Sequence, residues 1–141
     1  MDGLRRLLIL CCLLLVPALA KADPAPDSIQ LEFMANGRMF QSLNVVMTKD
    51  GRKYPVYYTK DENGGRWGYS YGQIAVELKN ILYDADIAER IGADDYITYD
   101  DLEITFFEVD NPFKVNRMMK LLEKEPMVRY AEISLIEDLN W

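Results

Sequence analysis

The chain contains no histidine, and its only two cysteines, Cys11 and Cys12, stand near the amino terminus. Without histidine, Ser-His and Cys-His catalysis are excluded, and so is a zinc site built on imidazole or on thiolates of the later chain. Long apolar runs are equally scarce. The most continuous, Leu7 to Val16, is about ten residues, well short of the roughly twenty that a helix needs to cross a bilayer. Positive charge is in deficit too, with 16 basic against 23 acidic residues and a formal net charge of -7.

What the amino terminus does contain is an export signal. Arg5 and Arg6 precede the apolar run, and Ala18-Leu19-Ala20 supplies the small-x-small pattern that a signal peptidase reads. Cleavage after Ala20 and cleavage after Ala22, through Ala20-Lys21-Ala22, both fit. Residues 1–22 are therefore expected to be a signal peptide and 23–28, with Pro24 and Pro26, a flexible leader. Leu8-Ile9-Leu10-Cys11 makes a poor lipidation site, because a bulky Leu stands where a small residue is needed. The expected location is the periplasm or the exterior.

The mature part, about 119 residues, suits a single domain with its own core. Both cysteines leave with the signal, so it travels to an oxidising compartment with no disulfide. Removing Arg5, Arg6, Lys21 and Asp2 leaves 13 basic against 22 acidic residues, about minus nine. Nucleic acid and anionic membrane would repel such a surface, so neither is an expected partner.

Several acids invite a chemical reading. A carboxylate pair can hydrolyse glycosides, and Asp84, Asp86, Asp94, Asp95, Asp100 and Asp101 are close in sequence. They fit a solvated acidic surface better, with Asp84 and Asp86 favourable near a helix start. Asp61-Glu62-Asn63-Gly64 resembles the opening of a calcium loop but lacks the Glu that closes an EF-hand at the twelfth position, and it reads as a turn. No metal, no cofactor and no enzymatic activity are expected. Trp67, Tyr69 and Tyr71 alternate, which suits one buried face of a strand, with a sugar-stacking platform as the alternative.

Turn chemistry organises the first half. Ile29 to Met34 and Met39 to Thr48 are β-prone runs joined across Ala35-Asn36-Gly37, and Asp50-Gly51 joins the latter to Tyr54 to Thr59. A β-meander over 29–60 follows, with Pro55 best suited to its edge. The charged, glycine-containing stretch 61–71 is expected to be a loop.

In the second half, Ile74, Val76 and Leu78 alternate with polar residues and predict a strand over Gly72 to Asn80. A helical reading through Ile74, Leu78, Ile81 and Leu82 leaves Val76 off its stripe. A helix is predicted from Ile81 to Ile91, with Tyr83, Ile87, Ala88 and Ile91 on one face and Gly92 at the stop. Strands Tyr96 to Tyr99 and Leu102 to Val109 pair around Asp100-Asp101. Asn111 and Pro112 then cap and open a helix through Val115, Met118, Met119 and Leu122, which Glu125-Pro126 ends. A last strand runs from Met127 to about Ile136.

This order, β-α-β-β-α-β, is the split βαβ arrangement of α+β proteins, in which two helices cover one face of a four-stranded antiparallel sheet. Phe106 and Phe107, and likewise Tyr130 and Ala131, are adjacent and must point to opposite faces. Apolar groups on the helix-free face forgo about 25 cal/mol per Å² of burial, so the meander or a partner is expected to cover them.

Met118 to Ile133, MMKLLEKEPMVRYAEI, resembles the end of the propeptide domain of subtilisin-like and kexin-like serine proteases. There a helix ends in an acid-Pro-x-Val-x-aromatic-x-Glu run, supplied here by Glu125, Pro126, Val128, Tyr130 and Glu132. Ile74 to Gly92, IAVELKNILYDADIAERIG, is similar to the same family's first strand and helix. The resemblance covers about Gly72 to Ile136 and assigns 72–136 to a propeptide-like domain and 137–141 to a tail.

The resemblance implies a domain that packs its open sheet face on surface helices of a subtilase and lays its tail in the active-site cleft like a cleaved product. Such domains assist folding and inhibit. It further implies that Glu132 caps the amino terminus of a protease helix, with Tyr130 in the same motif and Ser134 where the family often has a second acid. Asp138, Leu139, Asn140 and Trp141 fill the cleft up to the scissile point, although Trp141 departs from the basic residue that a kexin-like enzyme prefers. The expected protein is a stand-alone external chaperone and inhibitor, acting in trans in a 1:1 complex. An exported small-ligand or carbohydrate-binding module is the alternative.

Overall fold

A computed structural model describes residues 30–137; the expected signal peptide, the leader and residues Asp138, Leu139, Asn140 and Trp141 lie outside the described residues. Among the described residues the chain is an α+β protein in which strands predominate over two helices.

Four strands, β1 (Glu32–Ala35), β2 (Arg38–Lys49), β3 (Arg52–Asp61) and β4 (Gly64–Tyr69), form an antiparallel sheet in the order β1-β2-β3-β4. Its first two turns follow from their sequences. Asn36 and Gly37 have φ of 51° and 75°, and Asp50 and Gly51 have 52° and 74°. Two successive left-handed residues twist a hairpin with the hand of its strands, and Asn-Gly and Asp-Gly tolerate that conformation best.

The loop expected over 61–71 is instead largely β4. A tight turn at Glu62-Asn63, where the Asn63 amide donates to the Asp61 carboxylate at 2.8 Å, returns the chain along β3. A Cβ on Gly65 would meet the Tyr58 ring, its hydroxyl end closest, so any larger residue there requires that ring to move. Pro55 lies in β3, an inner strand and not an edge. It stands just past Val56, where the ladder to β4 ends with Tyr69, so no strand amide partner is lost there.

The second sheet contains β5 (Gln73–Leu78), β6 (Asp95–Tyr99), β7 (Ile104–Glu108) and β8 (Val128–Ile133), in the order β6-β7-β5-β8 and antiparallel throughout. Helix α1 (Asp84–Ile91) connects β5 to β6, and α2 (Val115–Glu123) connects β7 to β8. Alternation in β5 buries Ile74, Val76 and Leu78 completely, as a strand and not a helix requires.

The stretch expected to start α1 is a separate short 3-10 turn, Ile81–Tyr83, capped by the Asn80 side chain on the Leu82 amide at 3.0 Å. Leu82 and Tyr83 consequently point outward, whereas Ile87, Ala88 and Ile91 face the core and Gly92 ends the helix at φ 75°. A 3-10 turn, Asp100–Leu102, with Glu103 at φ 55°, delays β7 to Ile104. Asn111 accepts from the Phe113 amide at 3.1 Å, and Pro112 opens a 3-10 turn that leads into α2. Val115, Met118, Met119 and Leu122 are buried as their spacing predicts.

The core lies between these helices and one face of the second sheet, and Leu31 and Tyr57 of the first half belong to the same cluster. The first sheet touches β8 through β1, and the Pro112–Lys114 turn through β3. It braces the flank of α2 and β8.

Candidate functional site

The register of the second sheet decides which side chains share its other face. Ile74 pairs with Phe107 and Ile133, all buried toward the helices, so their neighbours in sequence face away. Across the middle of that face run Ile97, Phe106, Ala75 and Glu132; on one side lie Tyr99, Ile104, Glu77 and Tyr130. On the other are Asp95, Glu108 and Gln73, with Ser134 donating its amide to the Gln73 carbonyl at 3.0 Å.

Among the described residues neither helix crosses this face, and the first sheet does not cover it. Ile97 is 52% and Tyr99 49% exposed, while Ala75, Ile104, Phe106 and Tyr130 are half-buried. The Tyr99 ring meets Phe106 edge-on at 5.7 Å, the arrangement that aromatic quadrupoles favour. Leu102, in the adjoining turn, is also exposed. The result is an apolar centre within a polar rim, the pattern of a surface that meets another surface.

The rim is acidic and partly tied. Glu77 accepts from Arg129 at 3.2 Å, and Gln73 joins Glu108 at 3.0 Å and the Tyr71 hydroxyl at 3.0 Å. Burial, then the nearby Glu77 and Glu132 charges, raise the Tyr130 hydroxyl above its ordinary range, so it stays protonated. Burial likewise raises the pKa of Glu132, and Arg38 opposes the shift. The Glu132 side chain is 31% exposed, with Arg38 Nη1 at 3.9 Å, a long contact that leaves its oxygens with accepting capacity.

Beside Glu132 is a polar cavity of about 450 Å³ between the Asn36-Gly37 and Glu62-Asn63 turns. Arg38 Nη1 also lies 3.5 Å from Glu137, and Arg66 lies 3.0 Å from Asp61 and 3.2 Å from Glu137. Nothing in the local sequence around Arg38, Arg66 or Gly68 marks them, because each acquires its role from residues far along the chain.

Of the residues singled out in the sequence, Glu132, Tyr130 and Ser134 come together on the open face, whereas Asp138 to Trp141 lie outside the described residues. Trp67, Tyr69 and Tyr71 do not form one buried face. Only Tyr69 is buried; Tyr71 lies beyond β4, and Trp67, at the uncovered hairpin end, packs edge-on against Tyr58 at 5.4 Å and is 53% exposed. Among the described residues no cluster of His, Cys, Asp or Glu could hold a metal ion, and no helix is long and apolar enough to cross a membrane. Set against known proteins, the chain matches no family model, no curated protein and no solved structure.

Proposed function

We propose that this exported, non-catalytic protein binds a subtilisin-like or kexin-like serine protease in trans. It assists the folding of that enzyme and inhibits it with the carboxy-terminal segment in the active-site cleft. The observation that carries the reading is the uncovered sheet face, where Ile97, Tyr99 and Phe106 form an apolar centre with Glu132 beside it. An apolar sheet face of this kind is stabilised by the side of a helix pair, at about 25 cal/mol per Å² of apolar area removed from water.

The finer fold assignment belongs to the same proposal. A helix in each of two crossovers and the order β6-β7-β5-β8 support the split βαβ arrangement that the propeptide resemblance implies. Glu132 is suited to capping a helix of the enzyme because its carboxylate is partly desolvated and only distantly paired, while helix amides present unpaired donors. The acidic surface favours an enzyme with a basic docking face and speeds the encounter. The signal sequence supports a meeting in the periplasm or outside the cell, in a 1:1 complex, with no cofactor, nucleic acid or membrane involved.

The test is to co-express the mature chain with a subtilase secreted by the same organism, then measure capture and proteolytic activity. A protease that needs the chain to become active, and that excess chain inhibits, supports the proposal. A protease that matures alone, is not captured and is not inhibited refutes it. The exposed Trp67 against Tyr58 favours a second reading, a carbohydrate-binding module, which a saccharide-dependent change in Trp fluorescence would support.

A further inference from the structure

A Cβ on Gly68 would stand 2.9 Å from the Cβ of Leu135, 3.3 Å from the Ile136 carbonyl oxygen and 3.4 Å from Cγ of Glu137. The glycine is therefore required by what crosses it, the segment that continues β8 past Ile133. At the next position Tyr69 donates its amide to the Ile136 carbonyl at 3.1 Å and accepts from the Ile136 amide at 2.9 Å, an isolated antiparallel bridge between β4 and the stretch that follows β8. Glu137 then lies 3.5 Å from Arg38 and 3.2 Å from Arg66. Asp61 anchors both arginines, at 3.9 and 3.0 Å, and the Asn63 amide, more than the arginines themselves, holds its carboxyl below the usual range.

We propose that the first sheet is a brace that holds Leu135 to Glu137 in one direction, with Gly68 admitting them and Arg38 and Arg66 acting as positioning residues for Glu137. Exposed ion pairs contribute little singly, but here they share partners and close over a backbone bridge, so they act on one short stretch together. Arg38 also approaches Glu132 on the open sheet face, which fixes the direction of the segment relative to that face. A fixed point of departure at Glu137 lowers the freedom that the residues after it lose on binding. The functional half of this inference rests on the protease reading; the structural half does not.

The test uses the mature chain carrying Arg38→Gln with Arg66→Gln, and separately Gly68→Ala. Three quantities are read: amide exchange at Ile136, capture of a same-organism secreted subtilase whose catalytic serine is replaced by alanine, and inhibition of the active enzyme. The expected result is Ile136 exchange faster by about tenfold or more. Inhibition weakens by about tenfold while capture changes less than about threefold. Arg38→Lys with Arg66→Lys should restore part of both effects, which a purely local folding defect would not allow. Wild-type exchange in both variants overturns the brace, and faster exchange with undiminished inhibition overturns its aiming role. If the unaltered chain neither captures nor inhibits, the protease reading fails and Ile136 exchange alone decides whether the brace exists.

Discussion

The phenolic hydroxyl of Tyr57, in β3, donates to the side-chain oxygen of Asn116, in α2, at 2.5 Å, with both residues buried. This bond crosses from the first sheet to the helical layer of the second. With Leu31 and Tyr57 in the same apolar cluster as Ile74, Phe107 and Met118, it makes the two sheets share one core. The first sheet is thus spent on the flank of α2 and β8, and the far face of the second sheet stays open.

Tyr57→Phe should lower the unfolding free energy by about 1–2 kcal/mol, because the ring still fills its site while a buried acceptor loses a donor. Urea denaturation measures it, and one cooperative transition is expected since the halves share a core. An unchanged midpoint would remove the bond from the account of stability.

On the proposed protease reading, Ile97→Glu should weaken binding by about 2 kcal/mol, roughly thirtyfold, because it sets a charge in the apolar centre of the open face. Stability should hardly change, since that side chain is largely exposed in the free protein. Titration calorimetry and a thermal scan of the same sample separate the two effects. Undiminished affinity would move the docking surface elsewhere.

Glu132→Gln should have opposite effects on stability and on binding. A carboxyl whose pKa is raised by burial is worse off ionised in the folded chain than in the unfolded one, so it destabilises the fold at neutral pH. That penalty disappears as pH falls through the raised pKa to below the ordinary carboxylate value. The variant should accordingly be more stable than the parent at pH 7, with the difference closing in acid. Its affinity for the protease should fall by about 1 kcal/mol if the carboxylate caps a helix. Parent binding should begin to fade at a higher pH than an ordinary carboxylate dictates. Parallel denaturation and affinity series against pH test both signs, and a fall in stability at pH 7 would contradict the burial argument.

If the chain inhibits a protease as proposed, removing residues 138–141 should abolish that inhibition with little change in the unfolding midpoint, because the bridge at Ile136 and the arginine contacts of Glu137 lie before the cut. Capture of inactive protease should persist through the open face. A truncated chain that inhibits undiminished would show that the tail is not the inhibitory element.

The elements legible in the sequence are those whose cause is local. Asn36-Gly37 and Asp50-Gly51 carry the left-handed conformations their hairpins need, Asn111-Pro112 carries the cap and first turn that lead into α2, and the alternation of Ile74, Val76 and Leu78 is a strand's own period. Strand β4 is only half legible: Trp67 and Tyr69 alternate as a strand's residues do, but three glycines and the charged stretch before them give Gly64 to Tyr69 the look of a loop. It is a strand because β3 offers it a ladder and because Tyr58 and the Leu135 to Glu137 segment occupy the space above Gly65 and Gly68. Helical spacing places Tyr83 inward, but the intervening 3-10 turn changes the angle per residue and sends it outward.

The candidate site divides in the same way. That Phe106 and Tyr130 face away from Phe107 and Ala131 is a consequence of strand geometry and needs nothing but the order of residues. Whether that face is covered depends on where the first sheet packs, and this was decided by the Tyr57–Asn116 bond and the fit of β1 against β8. The meeting of Arg38, Glu132 and Glu137 is likewise tertiary, since no periodicity links residues so far apart. Local sequence therefore determined the first two hairpin turns, the entry to α2, and the alternation that sets which side chains of β5, β7 and β8 share a face, whereas β4 and the outward turn of Tyr83 needed the neighbouring structure. Long-range packing alone decided which face remained free and which charges came to surround the departing carboxy-terminal segment, because contact between distant residues depends on how completed elements fit together.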